Sequence, residues 1–299
     1  MKIALIGGAK IYHGMTFAEM FNGYDEKLSK KLKWGPQFKE RVGGTARITH
    51  VWDENIEAAK ESARVCGIPH VVKNKEDVIG QVDGVLVADD CTLKHQRKAI
   101  PFLKAGIPTF IDKPLSPDLR EAETIAKLAK KHRAPLMSCS ALRFAKETKA
   151  LREGKDSIGE IRTGFAACRV WMGGLVFYGI HAVELLLSLT GPGVRSVVNL
   201  GRKKRDFLVL TFKDERRFSV ATYEEDIGAS FQVCLYGEKG HRVINAEDGG
   251  YFYSEMLRQF VKMVETGKSP VPMEDTLETI RIVTRGNRPS KDGKQIKIG

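Results

Sequence analysis

The segment of residues 84–115 constrains the fold of this chain more than any other stretch. Apolar runs at residues 85–87 and 109–111 predict two buried strands, with an amphipathic helix between them. A strand–helix–strand unit of this spacing implies a right-handed crossover within a parallel sheet. Because such sheets bind ligands at the carboxyl ends of their strands, we expect Asp112 and Lys113 to border a ligand crevice.

The same alternation of strand and helix runs through the first half of the chain. Residues 2–6 and 47–52 predict further buried strands, with helical patterns between consecutive strands. Beyond Arg143 the pattern changes to strands of alternating polarity joined by tight turns, which predict an open, mainly antiparallel sheet with packing helices. We therefore predict the α/β class: a Rossmann-like doubly wound parallel sheet over residues 1–140, then an α+β domain over residues 141–299.

The composition of this 299-residue chain argues against several kinds of partner and site. The net charge is +12, but the basic clusters lie far apart and lack interleaved aromatic residues, so we expect a lysine-rich solvated surface and no nucleic-acid partner. No apolar run approaches the roughly 20 residues of a membrane span, so no membrane partner is expected. The five cysteines are dispersed without a C-x-x-C pair, which predicts reduced thiols, no metal site and a cytoplasmic protein.

A glycine turn, Gly7-Gly8-Ala9, follows the first predicted strand, and Asp53 follows the second. Glycine lets the backbone approach a pyrophosphate, the next helix N-terminus attracts it, and an acidic residue accepts hydrogen bonds from ribose hydroxyls. The fit is partial, because the turn is not G-x-G-x-x-G and an insertion over residues 23–44 moves Asp53 beyond the usual spacing of about 20 residues. We expect this insertion at the sheet edge opposite the ligand crevice.

The sequence leaves open the identity of the cofactor and the roles of two histidines. Residues 53–55 supply no arginine for a 2′-phosphate, which favours NAD and does not exclude NADP. An α/β domain without a nucleotide remains the alternative. His13 fits either a first-turn helix cap or a cofactor neighbour, and His95 fits either a helix cap or a cofactor-side residue.

Motifs in the middle of the chain resemble the Gfo/Idh/MocA family, the relatives of glucose–fructose oxidoreductase and inositol dehydrogenase. In that family a strand ends in a T-P-N-x-x-H-like turn, and a Glu-Lys-Pro motif follows. The matching positions are His95, Lys113, Pro114, Arg143, Phe144 and the tail at residues 287–294. Thr92 stands at the asparagine position of the turn, and Asp112 replaces the glutamate.

The resemblance implies a cofactor-binding domain followed by a domain whose open sheet carries substrate and subunit contacts, in a homodimer or homotetramer. It also implies hydride transfer between NAD and a sugar, a polyol or a related hydroxyl-bearing small molecule, with Lys113 and His181 as catalytic residues. The candidate cofactor-binding residues are Gly7, Gly8, Ala9, His13, Asp53, Asp90, Thr92, His95, Asp112 and Lys113. The candidate substrate-binding residues are Arg143, Tyr178 and Glu184.

General chemistry supports the roles of Lys113 and His181. Oxidation of an alcohol requires a base for the hydroxyl proton, and a histidine in the first turn of a helix is favoured as the neutral imidazole. Lys113, aimed into the crevice, can donate to the substrate oxygen and stabilise developing alkoxide charge. Each assignment has a structural alternative, with His181 as a satisfied core residue and Lys113 as a surface lysine.

One departure from the family concerns Phe177, which stands where many members carry an aspartate four residues before the histidine. Glu184 lies on the same helix face as His181 and could partly substitute for that carboxylate. An NAD-dependent dehydrogenase is the leading hypothesis, because Lys113 and His181 are expected to face one crevice. The alternatives are a redox-neutral enzyme of the glycosidase or epimerase type that retains NAD, and a non-catalytic dinucleotide-binding protein.

Overall fold

The computed structural model describes residues 1–154, 157–171, 174–228 and 230–298, without the side chain of Asp90. The chain forms two compact units. The first unit comprises Met1–Ser116, Arg120–Ser138 and Tyr253–Met273. The second unit comprises Pro117–Leu119, Cys139–Phe252 and the chain from Glu274 onward.

The first unit is built on a six-stranded parallel sheet. Its strands are β1 Lys2–Ile6, β2 Arg47–Trp52, β3 His70–Val71, β4 Gly84–Val87, β5 Thr109–Ile111 and β6 Leu136–Met137. Their order is β3-β2-β1-β4-β5-β6, and every described pairing is parallel. The strand order reverses between β1 and β4, so the predicted doubly wound arrangement is confirmed.

The helices follow local signals in the sequence. They are α1 Tyr12–Asn22, α2 Glu26–Leu32, α3 Ile56–Cys66, α4 Ile100–Lys104, α5 Leu119–Lys131, α6 Lys146–Arg152, α7 Ile180–Thr190, α8 Gly249–Thr266 and α9 Met273–Gly286. Asn55 caps α3 by accepting from two main-chain N–H groups, and Gly67 ends it in the left-handed conformation. Among the helices of the described residues, none has the length and apolarity needed to cross a bilayer.

The insertion between α1 and β2 folds onto the first unit. It contains α2 and the fully buried Trp34. The carboxylate of Glu19, in α1, accepts from the main-chain N–H groups of Gln37 at 3.3 Å and Phe38 at 3.1 Å. The Phe38 ring lies 6.2 Å from the ring of Tyr253, which also bonds the first turn of α1. The expected position at the opposite sheet edge is therefore wrong for this part of the insertion.

Most of α8 packs on the parallel sheet of the first unit. A Cβ built on Gly84 would lie 3.0 Å from the Phe260 ring and 2.8 Å from the Val264 side chain. The rings of Phe110 and Phe260 are 6.4 Å apart. Residues 253–273 thus group with the first unit, whereas the expected division assigned them to the domain over residues 141–299.

The second unit is built on a seven-stranded mixed sheet. Its strands are β7 Ile161–Arg169, β8 Val194–Asn199, β9 Phe207–Phe212, β10 Arg217–Tyr223, β11 Phe231–Gly237, β12 Gly240–Asn245 and β13 Ile296–Lys297. Their order is β12-β11-β7-β10-β9-β8-β13. The pair of β7 and β10 is parallel and the other described pairs are antiparallel, so the predicted mainly antiparallel sheet is confirmed.

Candidate functional site

The glycine turn after β1 brings three chain segments into close contact. Gly7 and Gly8 have φ angles of +69° and +68°, a left-handed conformation that favours glycine. A Cβ on Gly8 would lie 2.5 Å from the carbonyl oxygen of Ala88, and a Cβ on Gly14 would overlap the carbonyl oxygen of Gly8. Gly14 therefore permits the close helix–strand approach that the last glycine of G-x-G-x-x-G provides elsewhere. Sequence reasoning missed this role, because the spacing of Gly14 differs from that pattern.

Asp53 lies beside this turn despite the long insertion. Its Oδ2 accepts from the N–H of Ala9 at 2.8 Å, and its Oδ1 accepts from the N–H of Asn55 at 2.8 Å. The N–H of Gly7 donates to the carbonyl of Trp52 at 2.8 Å, because β1 and β2 are neighbours in the sheet. The tertiary structure thus restores a juxtaposition that the sequence spacing conceals.

An ion pair of Lys98 and Asp89 borders the same turn and was missed from the sequence. The Lys98 ammonium bonds the Asp89 carboxylate and lies 3.4 Å from Glu54. A Cβ on Gly7 would lie 2.9 Å from Asp89 Cβ and 3.3 Å from Lys98 Nζ. The Thr92 hydroxyl donates to Asp89 Oδ2 at 3.2 Å. Lys98 follows His95 by about one helical turn, and this spacing could have indicated that Lys98 lies near the same site.

The side chain of Asp90, a candidate cofactor contact, lies outside the described part of the structure.

Asp112 is the centre of a buried hydrogen-bond network at the end of β5. Its Oδ2 lies 2.5 Å from His13 Nδ1, and its Oδ1 accepts from the N–H of Lys113 at 2.8 Å. His13 Nε2 lies 2.9 Å from the Tyr253 hydroxyl, and His95 Nε2 lies 2.7 Å from the Asp112 carbonyl oxygen. Both ring nitrogens of His13 are thus engaged by side chains, so its interpretation as a helix cap is wrong.

Lys113 lies beside this network and is 3% exposed. It follows β5 directly, and its peptide bond to Pro114 is cis. A surface lysine would be largely solvated, so the surface alternative for Lys113 is wrong.

In the second unit, His181 is held near the start of α7. Its Nδ1 lies 2.7 Å from the Ser140 hydroxyl. The rings of Tyr178 and Phe231 contact the imidazole edge-to-face, with centroids 5.3 and 5.4 Å away. A π-helical turn at Leu175–Gly179 runs directly into α7. His181 therefore lies in the first turn of α7, as expected, but the N-terminus of that helix is not free, because the π-helical turn precedes it.

Glu184 lies behind this histidine, one turn further along α7. Its Oε2 accepts from the N–H of Ser140 at 2.9 Å, and its Oε1 lies 3.6 Å from Arg143. Arg143 also lies 3.6 Å from Asp275. Burial raises the pKa of Glu184 to about 7, against the opposing effects of Arg143 and the Ser140 N–H. Glu184 and Arg143 thus have well-defined contacts within the second unit, and substrate binding by them stays a prediction.

The turn in the first unit has features that suit a nicotinamide dinucleotide. Glycine backbone is available at the turn for close approach of a pyrophosphate, and Asp53 is an acceptor suited to ribose hydroxyls. Within the described residues, no group of three or more histidine, cysteine, aspartate or glutamate side chains is arranged to hold a metal ion. The fold and the turn together define the class of Rossmann-like dinucleotide-binding proteins.

Comparison with known families gives the same answer. Residues 1–139 match the model described as the oxidoreductase family with an NAD-binding Rossmann fold, GFO_IDH_MocA. This match confirms the predicted resemblance to the Gfo/Idh/MocA family, the oxidoreductase class and the NAD cofactor. No curated protein matches the chain.

Solved structures share the fold over the whole chain at low sequence identity. A "probable dehydrogenase" from Thermotoga maritima is 19% identical with a TM-score of 0.82, covering 100% of this chain and 99% of that one. A myo-inositol dehydrogenase from Corynebacterium glutamicum is 14% identical with a TM-score of 0.79, covering 100% and 99%. An oxidoreductase from Agrobacterium radiobacter, in complex with NAD+, L-tartaric acid and magnesium, is 14% identical with a TM-score of 0.77, covering 100% and 98%.

Proposed function

We propose that this chain is an NAD-dependent dehydrogenase that oxidises a secondary hydroxyl of a carbohydrate-like or polyol substrate, or catalyses the reverse reduction. The observation that carries the proposal is the arrangement at His181, a histidine that is 8% exposed, flanked by two aromatic rings and hydrogen-bonded at Nδ1. An oriented imidazole suits proton transfer at a hydroxyl group. The inositol dehydrogenase among the similar structures supports the substrate class.

His181 is the proposed acid–base residue. In the oxidation direction the imidazole takes the hydroxyl proton while the carbonyl forms, and in the reduction direction it returns that proton. Tyr178 and Phe231 reduce the access of water to the ring and restrict its rotation. When bound at the glycine turn, NAD supplies the hydride acceptor.

Lys113 is the proposed electrophilic residue. Its ammonium would donate to the substrate oxygen and stabilise negative charge as the hydroxyl proton leaves. The hydrogen bond from its N–H to Asp112 and the link from Asp112 to His13 fix the main chain at this strand end. A rigid main chain at Lys113 suits a catalytic group, because such a group must be held in a defined position.

The remaining candidate residues divide between cofactor and substrate. Gly7, Gly8, Ala9 and Asp53 form the dinucleotide turn, with Lys98 and Asp89 beside it. We propose substrate contacts by Tyr178 and by the Arg143 and Glu184 pair.

The test combines cofactor binding with turnover. NADH titration by fluorescence is expected to show saturable binding, and a panel of sugars and polyols is then followed by NADH absorbance. On an accepted substrate, His181→Ala and Lys113→Ala should each lower kcat about 100-fold or more. His241→Ala and Lys104→Ala, at exposed positions, are matched controls. Full turnover in both site variants would show that the assignment is wrong.

A second function is favoured by Phe177. This side chain is buried in the turn before α7 and supplies no carboxylate. An enzyme lacking that group could retain NAD without net redox turnover, or bind dinucleotide without catalysis. NADH binding with no absorbance change on any substrate of the panel would favour this alternative.

A further inference from the structure

We propose that Lys98 binds a phosphate group of the dinucleotide. This inference rests on the proposed function, and it names the residue that holds the charged part of the cofactor. Lys98 lies outside the glycine turn in sequence and reaches that turn through the packing of neighbouring strands.

The side chain of Lys98 packs directly on the first glycine of the turn. A Cβ built on Gly7 would lie 3.3 Å from Lys98 Nζ and 3.5 Å from Lys98 Cδ. Gly7 follows β1, and Asp89, which the lysine also contacts, comes just after β4. The ammonium therefore lies where the strand order reverses, and a doubly wound sheet binds its dinucleotide at that point.

Three main-chain N–H groups of the turn already donate within the chain. The donors are Gly7, Ala9 and Ile11, and the acceptors are the carbonyl of Trp52 at 2.8 Å, Asp53 Oδ2 at 2.8 Å and the carbonyl of Gly8 at 2.9 Å. Main-chain N–H groups of this kind usually hold a phosphate at the start of a helix. Since these three have acceptors of their own, a side-chain cation is the donor that compensates for them.

The charges beside the turn also favour a cation at this place. The carboxylates of Asp89 and Glu54 would repel the phosphates of a cofactor. Lys98 meets both of them, because its ammonium bonds Asp89 and lies 3.4 Å from Glu54. Lys10, a lysine of the turn itself, instead bonds Glu61 of α3. Lys98 thus offsets the negative charge that an entering phosphate would meet.

Lys98 has the donor capacity for a ligand in addition to its ion pairs. An ammonium carries three N–H donors, so two carboxylate partners leave one for a phosphate oxygen. The Asp89 side chain is 5% exposed and accepts from the Thr92 hydroxyl at 3.2 Å, which fixes the lysine before a ligand arrives. The Glu54 side chain is 69% exposed and can turn into solvent when the phosphate enters.

The experiment separates a phosphate contact from simple neutralisation of Asp89. Asp89→Asn keeps the ammonium, so its Kd for NADH should stay within about threefold of the wild-type value. The double variant Lys98→Met/Asp89→Asn leaves no unpaired buried carboxylate, but it lacks the cation, and its Kd should be about tenfold higher than that of Asp89→Asn. Calorimetric titration measures both values.

Two controls accompany this comparison. Lys98→Arg keeps the positive charge and should retain most of the affinity, whereas Lys104→Met, at an exposed lysine of the first unit, should change the Kd little. The ratio of the Kd values for the double variant and Asp89→Asn should also fall as the salt concentration rises, because salt screens a charge contact. Equal Kd values for these two proteins, or a ratio that salt leaves unchanged, would overturn the inference.

A comparison of NADH with NADPH identifies which phosphate Lys98 contacts. If it contacts the diphosphate, the double variant should lose affinity for both cofactors by the same factor. If it contacts the 2′-phosphate, the loss should be confined to NADPH. Retained affinity for both cofactors would overturn the inference.

The inference and the proposed function fail in different ways. If the wild type binds neither NADH nor NADPH, the proposed function falls, and the role of Lys98 falls with it. If the wild type binds a cofactor and the double variant binds it equally well, only the role of Lys98 falls.

Discussion

Single carboxylates show how strongly local surroundings decide the behaviour of a side chain in this protein. Asp53 is half-buried and accepts from two main-chain N–H groups. Glu184 is almost fully buried, and desolvation of its carboxylate outweighs the opposing effects of Arg143 and the Ser140 N–H. The first carboxylate is therefore held at the glycine turn by main-chain donors, while burial favours the protonated form of the second.

Replacement of Asp53 should weaken cofactor binding. Asp53→Asn keeps the shape and removes the negative charge that accepts from ribose hydroxyls, so the Kd for NADH should rise about tenfold or more. Asp214→Asn, at an exposed aspartate of the second unit, is the matched control and should change the Kd little. Fluorescence titration measures both values. Equal Kd values for the wild type and Asp53→Asn would remove Asp53 from the site.

Glu184 should make stability depend on pH. Its pKa is about 7 in the folded protein and lies above the ordinary value of 4.5, so folding favours the protonated form. The contribution of Glu184 to the free energy of unfolding is fully present below pH 4.5 and is lost as the pH rises through 7. This loss amounts to a few kcal/mol at most. Glu184→Gln removes this titration, so the difference in free energy of unfolding between the two proteins should change over this range. Urea denaturation at several pH values measures it, and a constant difference would contradict the assignment.

The first helix and the turn before it show how an element is fitted to its neighbours. α1 begins at Tyr12 because the chain must first pass the left-handed pair Gly7 and Gly8. Gly14 then lies against the carbonyl of Gly8, without room for a side chain. The close packing of the glycine turn against α1 therefore depends on residues without side chains.

Gly14→Ala should disrupt this turn. The added Cβ would overlap the Gly8 carbonyl oxygen, so α1 must shift, and we expect a loss of stability of about 1–3 kcal/mol together with weaker NADH binding. Gly228→Ala is the control, because a Cβ there meets nothing within 4 Å. Thermal unfolding and NADH titration measure the two effects. Binding and stability equal to those of the control would show that the close approach is unimportant.

Elements with strong periodicity were predictable, whereas pairings were not. The strands β1 and β2 were predicted with the bounds that the structure shows, because apolar residues mark them clearly. The sequence did not predict the parallel pairing of β10 with β7. Pairing depends on contacts between distant segments, which local patterns do not record.

At the scale of the whole molecule, one face of the sheet in the second unit, called the open face, carries several exposed apolar side chains of the described residues. Helix α7 contacts the other face through β7, β10 and β11. On the open face, Phe165 and Val243 lie on either side of Cys234 in register, and both are exposed. Tyr236 and Phe207 are exposed there as well. Exposed apolar residues grouped on one sheet face are a feature that interaction surfaces share.

We predict that this face joins copies of the chain into a homodimer or homotetramer. Phe165→Glu places a charge at the centre of the face and should shift the protein toward a monomer. Ile79→Glu, at an exposed apolar residue of the first unit, is the control. Sedimentation velocity measures the oligomeric state. The prediction fails if the wild type is monomeric, or if both variants keep the wild-type mass.

The sequence by itself determined the parallel first sheet and the change of architecture after residue 140, because both follow from local apolar patterns. It also supplied Asp53 and Lys113 as candidates at strand ends, and the family resemblance added His181. Only the tertiary structure decided the partners of these residues. Asp53 meets Ala9, and His181 meets Ser140, through strand order and helix packing. It also decided that α8 packs on the first sheet. Such contacts depend on burial between distant segments, which has no signature in a local pattern.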